Sequence, residues 1–147
     1  MRAVVLGLVL ALAPALASAQ GVNVAADAQA ALAGPWIGTW TSGPYVYDGE
    51  MTLSVSAEGE VDGQIVWTLR EADAELAPLI GRSGVEHVRG RFHPDTGALR
   101  LEGHQKDDPD NVIGLDSYRL VVGRNHAMLT GLTGNHGTWD GLVVMRR

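Results

Sequence analysis

Cysteine is absent from the 147 residues, so the chain has no disulfide framework, no thiolate metal site, no cysteine nucleophile and no cysteine to carry a lipid. Aromatic side chains make up 5% of it, with one Phe, and Lys106 is its single lysine. Positive charge is scarce: 11 basic side chains stand against 17 acidic ones, a formal net charge of −6. That balance argues against nucleic acid and anionic membrane surfaces as partners. Long apolar runs are missing after the N-terminal region, so no membrane-spanning helix is expected. What is present is 46% hydrophobic residues in a length suited to one domain, enough to bury a core without covalent staples.

The one apolar run lies at the start. Met1 and Arg2 supply a positive head, residues 4–17 are apolar but broken by Pro14, and Ala17-Ser18-Ala19 forms an A-x-A cleavage site before Gln20. Residues 1–19 therefore read as a Sec-type signal peptide, cleaved after Ala19, and the mature protein is expected in the periplasm or the medium. Abundant Ala and Gly, with Arg preferred over Lys, fit a GC-rich bacterial genome. Residues 20–33 are Ala-rich, with Asp27 the only ionised side chain, and read as a short helix or a disordered leader.

From Gly34 to the end, residues 34–147, the texture becomes short apolar/polar alternations separated by Gly, Asp, Asn and Pro, as in an antiparallel all-β domain. Met51, Leu53 and Val55 alternate with Thr52, Ser54 and Ser56. After a turn at 57–60, Val61, Gly63, Ile65, Trp67 and Leu69 share a face, completing a hairpin. Further strands are predicted at 86–92, around Leu99 and Leu101, around Tyr118, Leu120 and Val122, at 127–133 and at 138–145. With the opening segment 36–41, about eight strands result. The insert 71–81 departs from this rhythm: Asp73-Ala74-Glu75-Leu76 begins a short helix that Pro78 and Gly81 stop. Glycines at 38, 63, 90, 103, 131 and 141 share parity with the large apolar residues of their strands, which favours sharply coiled strands. The predicted fold is an all-β, roughly eight-stranded antiparallel up-and-down β-barrel with a short helical insert; a sandwich with ordinary bulges is the alternative.

The segment Gly34-Pro35-Trp36-Ile37-Gly38-Thr39-Trp40 resembles the first strand of the calycin-type meander barrels, the lipocalins with their G-x-W and the avidins with their G-T-W. The likeness covers that strand and the general strand rhythm. It implies a barrel whose Trp plugs one end and whose mouth holds a ligand. The residues that follow, Thr41-Ser42-Gly43-Pro44, lack the Asn of the avidin pattern, so architecture is what the resemblance implies, not biotin binding.

Among chemistry-bearing residues, the five His (87, 93, 104, 126 and 136) show no HExxH or close pair, three of them fall in or beside turns, and only His87 and His104 have a chance to meet across strands. The loop Asp107-Asp108-Pro109-Asp110-Asn111, with Asp116 nearby, offers oxygen ligands suited to weak calcium binding, though Val112 stands where an EF-hand would place its third ligand. Ser83 is not in a nucleophile elbow. Asp62, Glu86, Glu102 and Asp140 offer carboxylates, but 17 acids on one small domain make chance proximity common. Trp36, Trp40, Trp67, Phe92 and Trp139 lie on apolar parities and read as core. Tyr45 and Tyr47, in a loop 42–48, are placed to line a barrel mouth, joined by Tyr118, Arg119 and the turn 135–138.

The expected function is thus a non-catalytic, exported binding barrel for a small, partly apolar ligand at its mouth, with Tyr45, Tyr47, Trp67, Tyr118 and Arg119 as the ligand-binding residues and no cofactor or metal. The alternative is an envelope protein-interaction module, an inhibitor or assembly accessory, whose filled barrel presents the segments 42–49, 71–84 and 105–117. Its partners are accordingly a small molecule or an envelope protein, with no nucleic acid and no membrane span.

Overall fold

The computed structural model describes residues 24–135 and 137–147. Residues 1–23, which include the segment 1–19 read as a signal peptide, and His136 lie outside the described residues. A helix, α1 (Val24–Leu32), precedes eight strands: β1 (Gly34–Ser42), β2 (Tyr45–Val55), β3 (Glu60–Glu71), β4 (Ser83–His93), β5 (Ala98–Asp107), β6 (Ser117–Val122), β7 (Met128–Asn135) and β8 (Thr138–Arg146). Each strand pairs antiparallel with the next, and β8 returns to β1, with Trp40 opposite Val143 and Gly38 opposite Met145. The result is a closed up-and-down barrel, which leaves no sheet edge unpaired. No helix among the described residues is long and apolar enough to cross a membrane.

The alternation read in the sequence is the cause of closure. On β3, Val61, Ile65, Trp67 and Leu69 point inward and are buried while Asp62, Gln64 and Arg70 face water. Burying each such side chain contributes about 1.5–3 kcal/mol. The inward glycines serve the same closure. A Cβ at Gly90 would collide with the Arg100 carbonyl of β5, and one at Gly131 with the Arg119 carbonyl of β6. Strands this tightly coiled bring a neighbour's backbone into the space a side chain would need.

The two ends of the barrel differ. At the closed end α1 lies across the opening, with Ala28 and Leu32 in the core. Its last carbonyls lack helical partners. Trp36 Nε1 donates to the Leu32 carbonyl at 2.9 Å, and the Arg147 guanidinium donates to the carbonyls of Leu32 and Ala33 while stacking 4.4 Å over the Trp36 ring. A cation at a helix C-terminus is also favourable to the aligned peptide dipoles. At the open end lie the turn between β1 and β2, the insert between β3 and β4, the loop between β5 and β6, and the turn between β7 and β8.

Three local expectations are corrected. Tyr45 and Tyr47 are not in a loop: β2 begins at Tyr45, and the connection from β1 is a tight turn with Gly43 at φ 54. The helical part of the insert is a 3-10 turn at Ala77–Leu79 rather than at 73–76, because Asp73 caps the preceding turn by accepting from the backbone N–H groups of Glu75 and Leu76. Trp139 is not core. Thr133 faces Gly141 and Asn135 faces Thr138, so β8 carries one residue more than β7 between those pairs. A single extra residue reverses the facing of the side chains beyond it. Trp139 is accordingly 37% exposed, with the Arg119 guanidinium 4.0 Å above its ring.

Candidate functional site

A cavity of ≈ 260 Å³ opens at this end, lined by Trp40, Ser42, Tyr47, Trp67, Glu86, Ile113, Gly114, Asp116, Tyr118, Thr133, Asn135 and Asp140. Every strand from β1 to β8 except β5 supplies a lining residue, so the barrel itself sets the geometry. Wider depressions exist on the outer wall, such as the one between Ile37, Asp48 and Val144, but they lie between strands on the outside and bring together no comparable set of groups.

The floor is built around Glu86. It sits on the inward parity of β4, between Gly84 and Val88, and is 1% exposed. Its carboxyl occupies the space that a side chain at Gly103, on the adjacent strand, would take. One oxygen, Oε2, accepts from the Tyr118 hydroxyl and from Trp67 Nε1 at 3.2 Å; the other, Oε1, accepts the Asp116 backbone N–H at 2.8 Å. Those donors favour the charged carboxylate, and burial opposes it more strongly. Glu86 is consequently pushed up to about 7, and the Asp116 carboxylate adds to the rise. Tyr118 is held well above its ordinary value by the same burial and by the Glu86 charge.

Above the floor, Trp40 and Tyr47 face each other across the β1–β2 pair, their ring centroids 5.5 Å apart and edge to face at 79°. Trp40 Nε1 donates to Thr133 Oγ1 at 2.6 Å, and Tyr47 donates its hydroxyl to the Val112 carbonyl at 2.7 Å. The Trp67 ring fills the space above Gly49, and Trp40 that beside Gly141. Asp116 and Asp140 sit at the rim. Burial raises Asp116 above the usual carboxylate range, and Asp140 opposes its ionisation further, against hydrogen bonds from Thr133, Asn135 and Trp40.

The loop that carries Val112 and Ile113 over the cavity is shaped by Asp108. Its Oδ1 accepts the Val112 N–H and its Oδ2 the Ile113 N–H, both at 2.9 Å, and Lys106 Nζ donates to Oδ2 at 3.1 Å. Burial would raise Asp108, but the two backbone donors and the ammonium outweigh it and hold the carboxyl low. Lys106 also donates to Asn111 Oδ1 and to the Ile113 carbonyl at 2.6 Å, so an ammonium stands where the calcium reading would put an ion. Asp107 is paired with His87 at 2.9 Å, and Asp110 lies 3.8 Å from Arg82. The acids of this loop are therefore committed separately, and no group of three or more metal-type ligands converges among the described residues.

Of the residues expected to bind ligand, the structure brings Tyr47, Trp67 and Tyr118 into the cavity wall. Tyr45 lies outside it, donating to Asp73 at 2.6 Å and so tying the insert to β2. Arg119 is on the outward parity of β6 and lies over Trp139. His87 faces Gln105 across the ladder, because the register between β4 and β5 shifts at His104; the two His do not meet. Asn135, from the turn 135–138 expected at the mouth, is in the wall too; the residues that sequence reasoning did not assign to the site are Trp40, Glu86, Ile113, Gly114, Asp116, Thr133 and Asp140. Glu86 carried a usable signal, an acid on an otherwise apolar and glycine parity, 84, 86, 88, 90, 92. No protein-family model matches the chain, and no curated protein or solved structure matches it either.

Proposed function

We propose that this chain is an exported, non-catalytic barrel that holds one small, partly apolar ligand in the open end. The observation that carries the reading is the cavity of ≈ 260 Å³ walled by Trp40, Tyr47 and Trp67 with polar groups converging on its floor and rim. Small-molecule sites have this character, a concave apolar wall with a few placed polar atoms. At the packing density of protein interiors such a volume takes about ten non-hydrogen atoms. The likeness of Gly34-Pro35-Trp36 and Gly38-Thr39-Trp40 to the opening strands of lipocalins and avidins supports the same reading, as the A-x-A segment at 17–19 supports export.

A non-catalytic role is supported by how the polar atoms are tied to one another. Thr133 accepts from Trp40, Tyr47 is spent on a backbone carbonyl, and both oxygens of Glu86 already accept hydrogen bonds. Thr133 also hydrogen-bonds the Asp116 carboxyl, so its hydroxyl is tied on both sides within the cavity wall. The test is the native mass of the mature protein, purified from the periplasm of its own host, against its denatured mass. An excess that denaturation removes is expected; a bare chain, together with a cavity that no small amphiphile enters, would overturn the proposal. That second result would favour the interaction-module reading, for which exposed Ile80 and Leu115 on the open-end loops are the supporting feature.

A further inference from the structure

Resting on that reading, we propose that the ligand is a small organic cation, an ammonium bearing an apolar or aromatic group, with its charge at the Asp116, Asp140 and Glu86 side of the cavity and its apolar part against Trp40, Tyr47 and Trp67. Three observations select this class. The cavity wall carries three carboxyl groups, and no Lys, Arg or His is among the described residues that line it. Cations on the neighbouring elements are committed elsewhere: Lys106 to Asp108 and the Ile113 carbonyl, Arg82 to Asp110, and Arg119 to the outer face of Trp139. Glu86 is buried to 1% exposure with hydrogen-bond donors but without a counter-charge among the described residues, an arrangement that is costly unless something supplies one.

Aromatic walls complete the match. Cations are attracted to the faces of Trp and Tyr, most strongly where water is excluded, and aromatic cages with an acid nearby are a general solution for ammonium groups. An anion would meet three carboxyls, and a neutral amphiphile would leave their mutual repulsion unrelieved. Among the described residues, the ionisable groups facing Glu86 are Tyr118 from β6 and Asp116 from the segment before it; Asp140 of β8 faces Asp116, and Tyr47 of β2 feels Asp116 and Asp108. All of them are acids. A bound cation therefore favours their charged forms and expels protons into solution.

The experiment uses the mature chain and three probes of nearly equal size, 2-phenylethylamine, 2-phenylethanol and phenylacetate, followed by tryptophan fluorescence, with benzyltrimethylammonium as a fourth. At about pH 8 the amine is expected to bind at least tenfold more tightly than the alcohol, and phenylacetate more weakly than either. Amine affinity should fall as the pH drops through about 7, by up to about tenfold per pH unit, while alcohol affinity stays flat. Calorimetry in two buffers of different ionisation enthalpy should register proton release with the amine only. Asp116→Asn should bring amine and alcohol to within a few-fold of each other; Glu86→Gln should flatten the pH dependence, and either variant suffices if the other fails to fold. Equal binding of amine and alcohol would overturn the cation assignment and leave the binding barrel standing. Binding of neither amine nor quaternary probe, with a neutral molecule found in the native mass, would do the same. Silence from all four probes with a bare native mass would sink both proposals.

Discussion

Replacing Glu86 by Gln tests the buried carboxyl directly, because its effect on folding depends on pH in a way no neutral side chain can imitate. Glu86 has an ordinary value of 4.5 and is raised to about 7 in the folded protein. The folded state thus binds more protons than the unfolded one between those two values, and stability falls as pH rises through that window. Below about 4.5 both states hold the proton and the site costs nothing; above about 7 both have lost it and the full cost is present. The interval corresponds to about 3 kcal/mol. Glu86 is only 1% exposed, so solvent screening takes little from this figure. The Gln variant has its own penalty, since Oε1 and Oε2 both face donors and one must meet the amide NH₂. A mismatched buried pair costs about 1–3 kcal/mol, nearly independent of pH. Urea unfolding of wild type and variant at a series of pH values separates the two contributions. The wild type is expected to lose about 3 kcal/mol relative to Glu86→Gln between about pH 4.5 and pH 8, whichever protein is the more stable at the start. Parallel stability curves would show that the carboxyl is not held near 7, and the account of the cavity floor would fail with it.

Other substitutions probe the parts that hold the floor in place. Gly103→Ala would drive a methyl into the Glu86 carboxyl, so a loss of about 1–3 kcal/mol in urea unfolding is expected, and a neutral result would mean that the carboxyl has room to move. Leu32→Ala, at the fully buried end of α1, should cost about 2–5 kcal/mol if the helix is an integral plug; a loss below about 1 kcal/mol would mean it is only loosely applied to the barrel. Arg119→Ala removes an outward contact with Trp139 and should leave 2-phenylethylamine affinity within about twofold, whereas a tenfold loss would place Arg119 at the cavity after all.

The barrel was legible because inward residues repeat every second position and turns are marked by Gly, Asn and Asp, so a local pattern carries the global closure. The site was less so, because its members come from seven strands and the order in which strands meet decides which of them converge. Two kinds of irregularity hid the rest. At β8 a single extra residue turns Trp139 outward, which periodic reading placed in the core. In the loop 108–116, Asp108 and Lys106 hold Val112 and Ile113 over the cavity through hydrogen bonds that depend on a fold rather than a spacing. Glu86 is the instructive case between these extremes. Its parity was visible, and an ionisable side chain on a core parity costs stability unless its surroundings compensate it. Here compensation comes from Tyr118, Trp67 and the Asp116 N–H, and from a glycine that yields its space. A barrel made only to be stable would place an apolar residue at position 86. One acid stands at the base of the cavity and two more at its rim, and it is on this departure from a purely apolar packing that the proposed ligand-binding reading draws.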